Sequence, residues 1–184
     1  MRIPATLAAL LLAASVHANP SAPADDLDKL LADKGLLAQI DQVRQTVGVK
    51  ASELVITAMG FLGAPYRRGG NTLESGFDCS GFVKAMYEQT VGLILPRKAS
   101  QQAAATQKIE RADLQPGDLV FFNTMRHAFS HVGIYIGEGN FIHSPKPGAR
   151  VRVESMAATY WNRRFDGARR VAAAAPEATA AQSN

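Results

Sequence analysis

The chain has 184 residues, of which 47% are apolar and 20% are charged, with one cysteine and a formal net charge of +4. This length and composition are typical of one globular domain and exclude a wholly disordered chain. One cysteine excludes an internal disulfide framework. The small basic excess suits an anionic partner but is too weak to indicate nucleic-acid binding.

Residues 1–18 are predicted to be a signal peptide. Arg2 supplies the positive start, Leu7–Ala14 is an apolar run too short to cross a bilayer, and Ala18 ends a small-residue cleavage pattern. No cysteine lies near that point, so we expect export without a lipid or other membrane anchor. The mature protein would then be periplasmic or secreted.

Two further segments flank the predicted domain. Residues 19–48 are predicted to be a linker and a short helical segment, because apolar residues recur at helical spacing over 25–47, interrupted at Gly35. This segment could pack on the domain, which we favour, cover a groove or bind a protein partner. Residues 172–184 are rich in alanine and poor in large apolar groups, and we expect them to be disordered.

Two helices are predicted next. The first spans Ser52–Leu62, with Ser52 as its N-cap and Gly63 at its end. The second spans Asp78–Gln89 and has Asp78 as a candidate N-cap.

Short apolar or alternating runs then predict strands at Leu119–Phe122, His131–Gly137, Phe141–His143 and Val151–Val153. Because helices come first and antiparallel strands later, the expected fold class is α+β, with N-terminal helices packed on a central antiparallel sheet.

The single cysteine is the first candidate for chemistry. Cys79 lies in the first turn of the second predicted helix, where unpaired backbone N–H groups favour the thiolate and should lower the pKa of the thiol. A nucleophilic cysteine also needs a base and a group that orients the base. The alternative is a buried, inert cysteine.

Two histidines are candidates for those roles. His131 opens a strand on the face opposite its valine and isoleucines, and His143 ends the partner strand. A three-residue turn at Glu138–Asn140 would place the histidines about 13 Å apart, so a bulge at Gly133 or Gly137, or strong coiling of the two-stranded ribbon, would have to bring them together.

Zinc is the rival chemistry, since Cys79, His127, His131 and His143 are acceptable ligands. His127 and His131 would meet on a helix, but they lead into a strand, where residues four apart are about 13 Å apart. We therefore expect no metal and no cofactor, and we expect His127 to be a surface loop residue.

Six blocks in order resemble the NlpC family of bacterial cell-wall cysteine peptidases, a reduced papain-like group. The blocks are GAPYRRGG (63–70), FDCSGFV (77–83), LPRKASQQ (95–102), LQPGDLVFF (114–122), SHVGIYIGEGNFIHSP (130–145) and YWNRRFDGARRV (160–171). The resemblance implies a papain-like catalytic domain over residues 49–171. It implies that Cys79 is the nucleophile, His131 its general base and His143 the third member.

The resemblance also implies substrate contacts around the nucleophile. Tyr66 matches a tyrosine of the family's site that would stabilise an oxyanion together with the Cys79 backbone N–H. Asp78 and Ser80 match flanking positions that hold substrate. Arg67 and Arg68, beside the site loop, are candidates for binding a substrate carboxylate.

The implied function is a peptidoglycan endopeptidase that hydrolyses stem peptides between D-γ-glutamyl and a diamino acid. Two alternatives stay open: a non-catalytic cell-wall binding or adaptor protein, and a papain-like amidase or acyltransferase that acts on another amide or ester. Peptidoglycan stem peptides are the expected partner in the first case.

Overall fold

The computed structural model describes residues 36–171. The predicted signal peptide, residues 19–35 of the predicted linker segment, and the predicted tail at 172–184 lie outside the described residues and stay predictions. Within the described range, residues 43–171 belong to one compact unit. None of the helices within 36–171 combines the length and the apolarity that a membrane crossing requires.

The described chain contains four α-helices and eight strands. The helices are α1 (Leu36–Gly60), α2 (Cys79–Val91), α3 (Ala99–Ala104) and α4 (Thr159–Asn162). The strands are β1 (Asn71–Thr72), β2 (Gly76–Phe77), β3 (Gln107–Ile109), β4 (Leu119–Phe122), β5 (His131–Gly137), β6 (Asn140–His143), β7 (Arg152–Ser155) and β8 (Phe165–Arg170). A short 3-10 turn at Arg111–Asp113 joins β3 to the rest.

Six strands form one antiparallel sheet in the order β3-β8-β4-β5-β6-β7. Helices precede most of this sheet, so the predicted α+β class is confirmed. β4 lies at the centre and is buried on both faces. Leu119 and Phe121 face the core shared with α1 and α2, whereas Val120 and Phe122 face a second, aromatic core.

Helix α1 differs from the prediction. A helix beginning at Ser52 was expected, but α1 is unbroken from Leu36 to Gly60 and crosses the predicted domain boundary between residues 48 and 49. Ser52 is not an N-cap, because its hydroxyl donates to the carbonyl of Gly48 at 3.0 Å, one turn earlier. A serine inside a helix often satisfies its hydroxyl in this way.

Helix α2 is confirmed at its start and nearly at its end. The Asp78 side chain accepts from the backbone N–H of Gly81 at 2.8 Å, and Gly92 ends the helix in the left-handed region at φ 74°. Both contacts are the usual solutions for unpaired groups at helix ends. They place Cys79 at the first helical position, where its N–H has no partner inside the helix.

The sheet strands β4 and β5 have their predicted bounds, while β6 and β7 are displaced by one or two residues. Strand β8 was missed. Its sequence FDGARR has no apolar alternation, and it is a strand because it pairs with β4 on one side and β3 on the other. Tertiary pairing therefore decides this element.

A buried hydrogen bond ties α2 to the loop before β4, and it yields a stability prediction. The Tyr87 hydroxyl donates to the Gly117 carbonyl at 2.5 Å in a buried setting. Tyr87→Phe leaves that carbonyl without a donor, so the free energy of unfolding should fall by about 1–3 kcal/mol in urea titrations. Tyr135→Phe is the matched control, because its hydroxyl accepts from Gly139 in a half-buried turn that water can reach. An equal loss in the free energy of unfolding in Tyr87→Phe and Tyr135→Phe would contradict the prediction.

Candidate active site

The hairpin between β5 and β6 brings the two strand histidines together. Its turn has two residues, Glu138 and Gly139, with φ of 51° and 72°, and Gly137 pairs directly with Asn140. Two left-handed residues are typical of the type I′ turn, which matches the twist of the strands. The expected three-residue turn is therefore wrong, and so is the 13 Å separation derived from it.

A bulge contributes the remaining shift. The register changes between Tyr135 and Gly137, so that Ile134 pairs with Ile142 and His143 lies beside Gly133. The predicted need for a bulge near Gly137 is confirmed. His131 Nε2 and His143 Nδ1 are 2.6 Å apart, a direct hydrogen bond.

Gly133 makes this approach possible. A Cβ atom on Gly133 would lie 2.7 Å from the Phe141 ring and 3.2 Å from the Cβ of His143. Real Cβ atoms do not approach a neighbour so closely, so any side chain here would displace β6. The absence of a side chain at this position lets the two imidazoles meet.

Aromatic side chains cover both histidines. Trp161 of α4 stacks on His131 with ring centroids 5.4 Å apart and contacts His143 edge to face at 5.0 Å. Both histidines are buried, and burial is the largest cause that lowers their pKa values. Neighbouring His143 lowers the pKa of His131 further. Both rings are therefore neutral at neutral pH.

Cys79 lies at the start of α2, the helix that packs against β5, and it lines the same cleft as His131. Burial, followed by the charge of Asp78, raises the pKa of the thiol, and backbone N–H donors offset this only in part. The predicted lowering by the helix start is therefore wrong, because desolvation outweighs it. The hydrogen bond to His143 uses Nε2 of His131, so Nδ1 is the ring nitrogen of His131 that is available to Cys79.

Backbone contacts fix the cysteine loop to the histidine strand. The hydroxyl of Ser144, next to His143, donates to the Phe77 carbonyl at 2.6 Å, and both groups are buried. Nearby, the N–H of Tyr66 donates to the Ala149 carbonyl at 2.9 Å. These bonds hold the nucleophile loop and the strand ends together without help from the reacting side chains.

Asp78 and Ser80 are held by a residue that was not predicted as part of the site. Arg97 donates to both carboxylate oxygens of Asp78, at 2.9 and 2.5 Å, and to the Ser80 hydroxyl at 3.0 Å. Burial alone would raise the pKa of Asp78, but donors from Arg97, Gly81 and Gly69 lower it. Asp78 is thus a paired anion beneath the nucleophile.

A cleft of about 490 Å³ opens above these groups. Its walls combine Cys79 and His131 with aromatic and charged side chains, among them Tyr66, Arg68, Lys146, Arg152, Glu154, Tyr160 and Trp161. Burial, followed by Cys79 and Asp78, raises the pKa of Tyr66, which keeps its hydroxyl protonated as a donor. Arg68 lines the cleft, whereas Arg67 is exposed outside this lining.

Glu154 of β7 was not predicted as a site residue. Its Oε2 lies 2.6 Å from His143 Nε2 and 3.2 Å from Arg152. The hydrogen bond with His143 is the largest cause that lowers the pKa of Glu154 to about 2. The hydrogen-bonded chain thus runs from His131, which lines the same cleft as Cys79, through His143 to a carboxylate. No spacing in the sequence marks Glu154, because four strands, β3 to β6, separate it from Cys79 along the chain.

Of the missed residues, Arg97 and Trp161 lie inside blocks that carried the resemblance, but no pattern indicated their contacts. His127 is exposed in the loop before β5. Within residues 36–171, no group of three or more histidine, cysteine or acidic side chains is arranged to hold a metal ion.

Comparison with known proteins gives a consistent result. The sequence profile of the NlpC/P60 family matches residues 63–170. The chain is 44% identical over 113 residues to murein DD-endopeptidase MepH of Escherichia coli (strain K12), covering 60% of this chain and 42% of that protein. It is 40% identical over 118 residues to γ-DL-glutamyl hydrolase of Bacillus subtilis (strain 168), covering 64% and 28%. The chain therefore spans less than half of each of these two relatives.

A third relative matches over nearly its whole length. Murein DD-endopeptidase MepS/murein LD-carboxypeptidase of Escherichia coli (strain K12) is 34% identical over 177 residues, which cover 92% of this chain and 90% of that protein. Among solved structures, the NlpC/p60 domain of peptidoglycan hydrolase SagA superposes with a TM-score of 0.58 and 33% identity. That match covers 66% of this chain and 98% of the solved domain.

The buried neutral histidines predict acid sensitivity. His131 and His143 have folded-state pKa values below the ordinary 6.5, so below about pH 6.5 the unfolded chain binds protons that the folded chain does not. The free energy of unfolding should therefore fall on acidification, by up to about 1.4 kcal/mol per pH unit for each histidine. Glu154 extends the loss between pH 4.5 and about 2.

Urea titrations at pH 7, 6 and 5 measure this slope. His131→Gln should flatten it, and His127→Ala, which removes an exposed imidazole, should leave it unchanged. A free energy of unfolding that does not change between pH 7 and 5 would show that the histidines are not held neutral.

Proposed function

Because the chain belongs to the NlpC/P60 family, we propose that it is a cysteine peptidase that hydrolyses amide bonds in the stem peptides of peptidoglycan. The observation that carries the proposal is that Cys79 and His131 line one cleft and that His131 is hydrogen-bonded to His143. The names of the relatives, murein endopeptidases and a glutamyl hydrolase, support the substrate class. Export by the predicted signal peptide would bring the enzyme to this substrate.

The reaction begins from neutral groups. As substrate displaces water from the cleft, the Cys79 thiol transfers its proton to Nδ1 of His131 while sulfur attacks the amide carbonyl carbon. The tetrahedral intermediate collapses, the C–N bond breaks, and the proton on His131 passes to the leaving amine. Water then attacks the thioester carbonyl carbon while His131 takes one of its protons. The C–S bond breaks, that proton returns from His131 to the sulfur of Cys79, and the carboxylic acid product loses its own proton to solvent.

Two donors face the developing oxyanion in this proposal. The hydroxyl of Tyr66 lines the cleft and stays protonated, and the N–H of Cys79 is unpaired at the start of α2. Asp78 and Ser80, fixed by Arg97, hold the chain on either side of Cys79. They stay candidates for substrate contact.

The bond cleaved has two candidates. The sequence resemblance implies the bond between D-γ-glutamyl and a diamino acid, and one relative is named a γ-DL-glutamyl hydrolase. Two other relatives are named murein DD-endopeptidases, one of them matched over 90% of its length, which favours the peptide cross-link. Both bonds are amides beside a free carboxylate, so the same cleft chemistry would serve either.

Cleavage of muropeptides is the direct test. Purified cross-linked and monomeric muropeptides are incubated with the wild type and with Cys79→Ala. The products are then separated and identified by mass spectrometry. The wild type should release products and Cys79→Ala should lose activity by at least about 10³-fold, because no other group can form the thioester. Conversion of cross-linked dimers to intact monomers identifies the cross-link as the target, and loss of the stem beyond glutamate identifies the γ-glutamyl bond.

Equal product from both proteins would refute the proposal. A wild type without any product, with a thiol at Cys79 that reacts no faster than free cysteine, would favour the wall-binding or adaptor alternative. Products from another amide or ester would favour the amidase or acyltransferase.

Basic residues at the cleft mouth yield a binding prediction. Arg68 and Lys146 line the cleft and are positioned to bind the carboxylates of a stem peptide. Arg68→Met or Lys146→Met should raise KM about 10-fold with kcat within about 2-fold, since a hydrogen bond to a charged group contributes about 1.5–3 kcal/mol. Added salt should reduce the difference in KM between each variant and the wild type. Lys108→Met, an exposed lysine of β3, is the matched control, and an equal effect there would contradict the role of the cleft residues.

A further inference from the structure

Glu154 occupies the far end of the hydrogen-bonded chain. It pairs in register with Phe141, so its side chain lies on the same face of the sheet as that of His143. Its carboxylate is about one-quarter exposed, whereas the His143 side chain is fully buried. One oxygen, Oε2, contacts both His143 Nε2 and Arg152.

The chemistry of the donors and acceptors allows only one arrangement. An ionised carboxylate only accepts, and a neutral imidazole has one N–H and one acceptor nitrogen. His143 must therefore donate from Nε2 to Glu154, which leaves its Nδ1 as an acceptor. His131 must then donate from Nε2 to His143. Nδ1 of His131 is left without a proton.

We propose that Glu154 is a positioning residue that selects the tautomers of His143 and His131 and so presents an unprotonated Nδ1 to the Cys79 thiol. The inference rests on the proposed peptidase function and adds a fourth member to its chain of residues. With the opposite tautomers, a proton would occupy the nitrogen that has to receive one, and the thiol could not be deprotonated.

The same carboxylate supports the second half of the step. When Nδ1 of His131 takes the thiol proton, a positive charge forms in a buried site beneath Trp161. His143 then carries the effect of the Glu154 charge to that imidazolium through two short hydrogen bonds. A buried charge is costly unless it is paired, so the anion lowers the barrier to proton transfer.

The pairing of β7 with β6 does not depend on this carboxylate. β7 is the edge strand of the sheet, and its backbone pairs with β6 whatever side chain follows. Arg152 forms an ion pair with the same oxygen that accepts from His143, so a glutamine at this position would direct its carbonyl oxygen there and keep the tautomers. Alanine removes both the acceptor and the charge.

The experiment compares the wild type with Glu154→Ala, Glu154→Gln and Glu110→Gln on muropeptides. Glu110 is an exposed acid at the end of β3 and is the matched control. Glu154→Ala should lower kcat about 10- to 100-fold with KM within about 2-fold, because proton transfer and not binding is impaired. Glu154→Gln should lower kcat less, and Glu110→Gln should match the wild type.

Long-range 1H–15N spectra of the histidine rings supply the readout that a structural role would not move. In the wild type and in Glu154→Gln, both rings should show a protonated Nε2 and an unprotonated Nδ1. In Glu154→Ala, His143 should lose this preference. An unchanged kcat in Glu154→Ala would overturn the inference, and so would a lowered kcat with unchanged tautomers in a folded protein.

Failure of the proposed function gives a different result. A wild type that cleaves no muropeptide, with ring tautomers that still depend on Glu154, would refute the peptidase and leave the positioning role intact. If Glu154→Ala does not fold, Glu154→Gln decides: a kcat equal to that of the wild type would overturn the contribution of the charge.

Discussion

The hydrogen bond between His131 and His143 is the constraint on which the site depends. The two rings come from neighbouring strands, and they meet because three backbone features agree. The turn has two left-handed residues, a bulge shifts the register by one residue, and Gly133 leaves space beside His143. A change in any of these would move the rings by one side-chain position or more, which is too far for a hydrogen bond.

Burial sets the protonation state of the two histidines. Trp161 and the aromatic core exclude water from the imidazoles, which lowers their pKa values, and burial raises the pKa of Cys79. At rest the thiol and its base are therefore both neutral rather than an ion pair. In this arrangement, the sulfur and the imidazole become charged only when a substrate carbonyl carbon is present for the sulfur to attack. Hydrogen-bond donors are then present to stabilise the oxyanion.

Anions placed around the site are each paired with a cation. Arg97 neutralises Asp78 directly beneath the nucleophile, and Arg152 shares the carboxylate of Glu154 with His143. Without these partners, two buried or half-buried carboxylates would oppose the formation of a thiolate at Cys79 and would tend to hold protons themselves. Other basic side chains, among them Arg68 and Lys146, line the cleft in which a substrate would bind.

Local sequence determined the parts of this protein that depend on local physics. Helix α2 was predictable from Asp78 and its apolar stripe, and β4 and β5 from uninterrupted or alternating apolar runs, because caps and periodicity act within one element. The cysteine, the two histidines and Tyr66 were found by their residue types and their resemblance to a family. Tertiary structure decided the unbroken α1, the strand β8, the register of the hairpin, the pKa of Cys79 and the contacts of Arg97 and Glu154. Each of these depends on groups far apart in the chain, and desolvation and strand pairing have no local signature by which a sequence could reveal them.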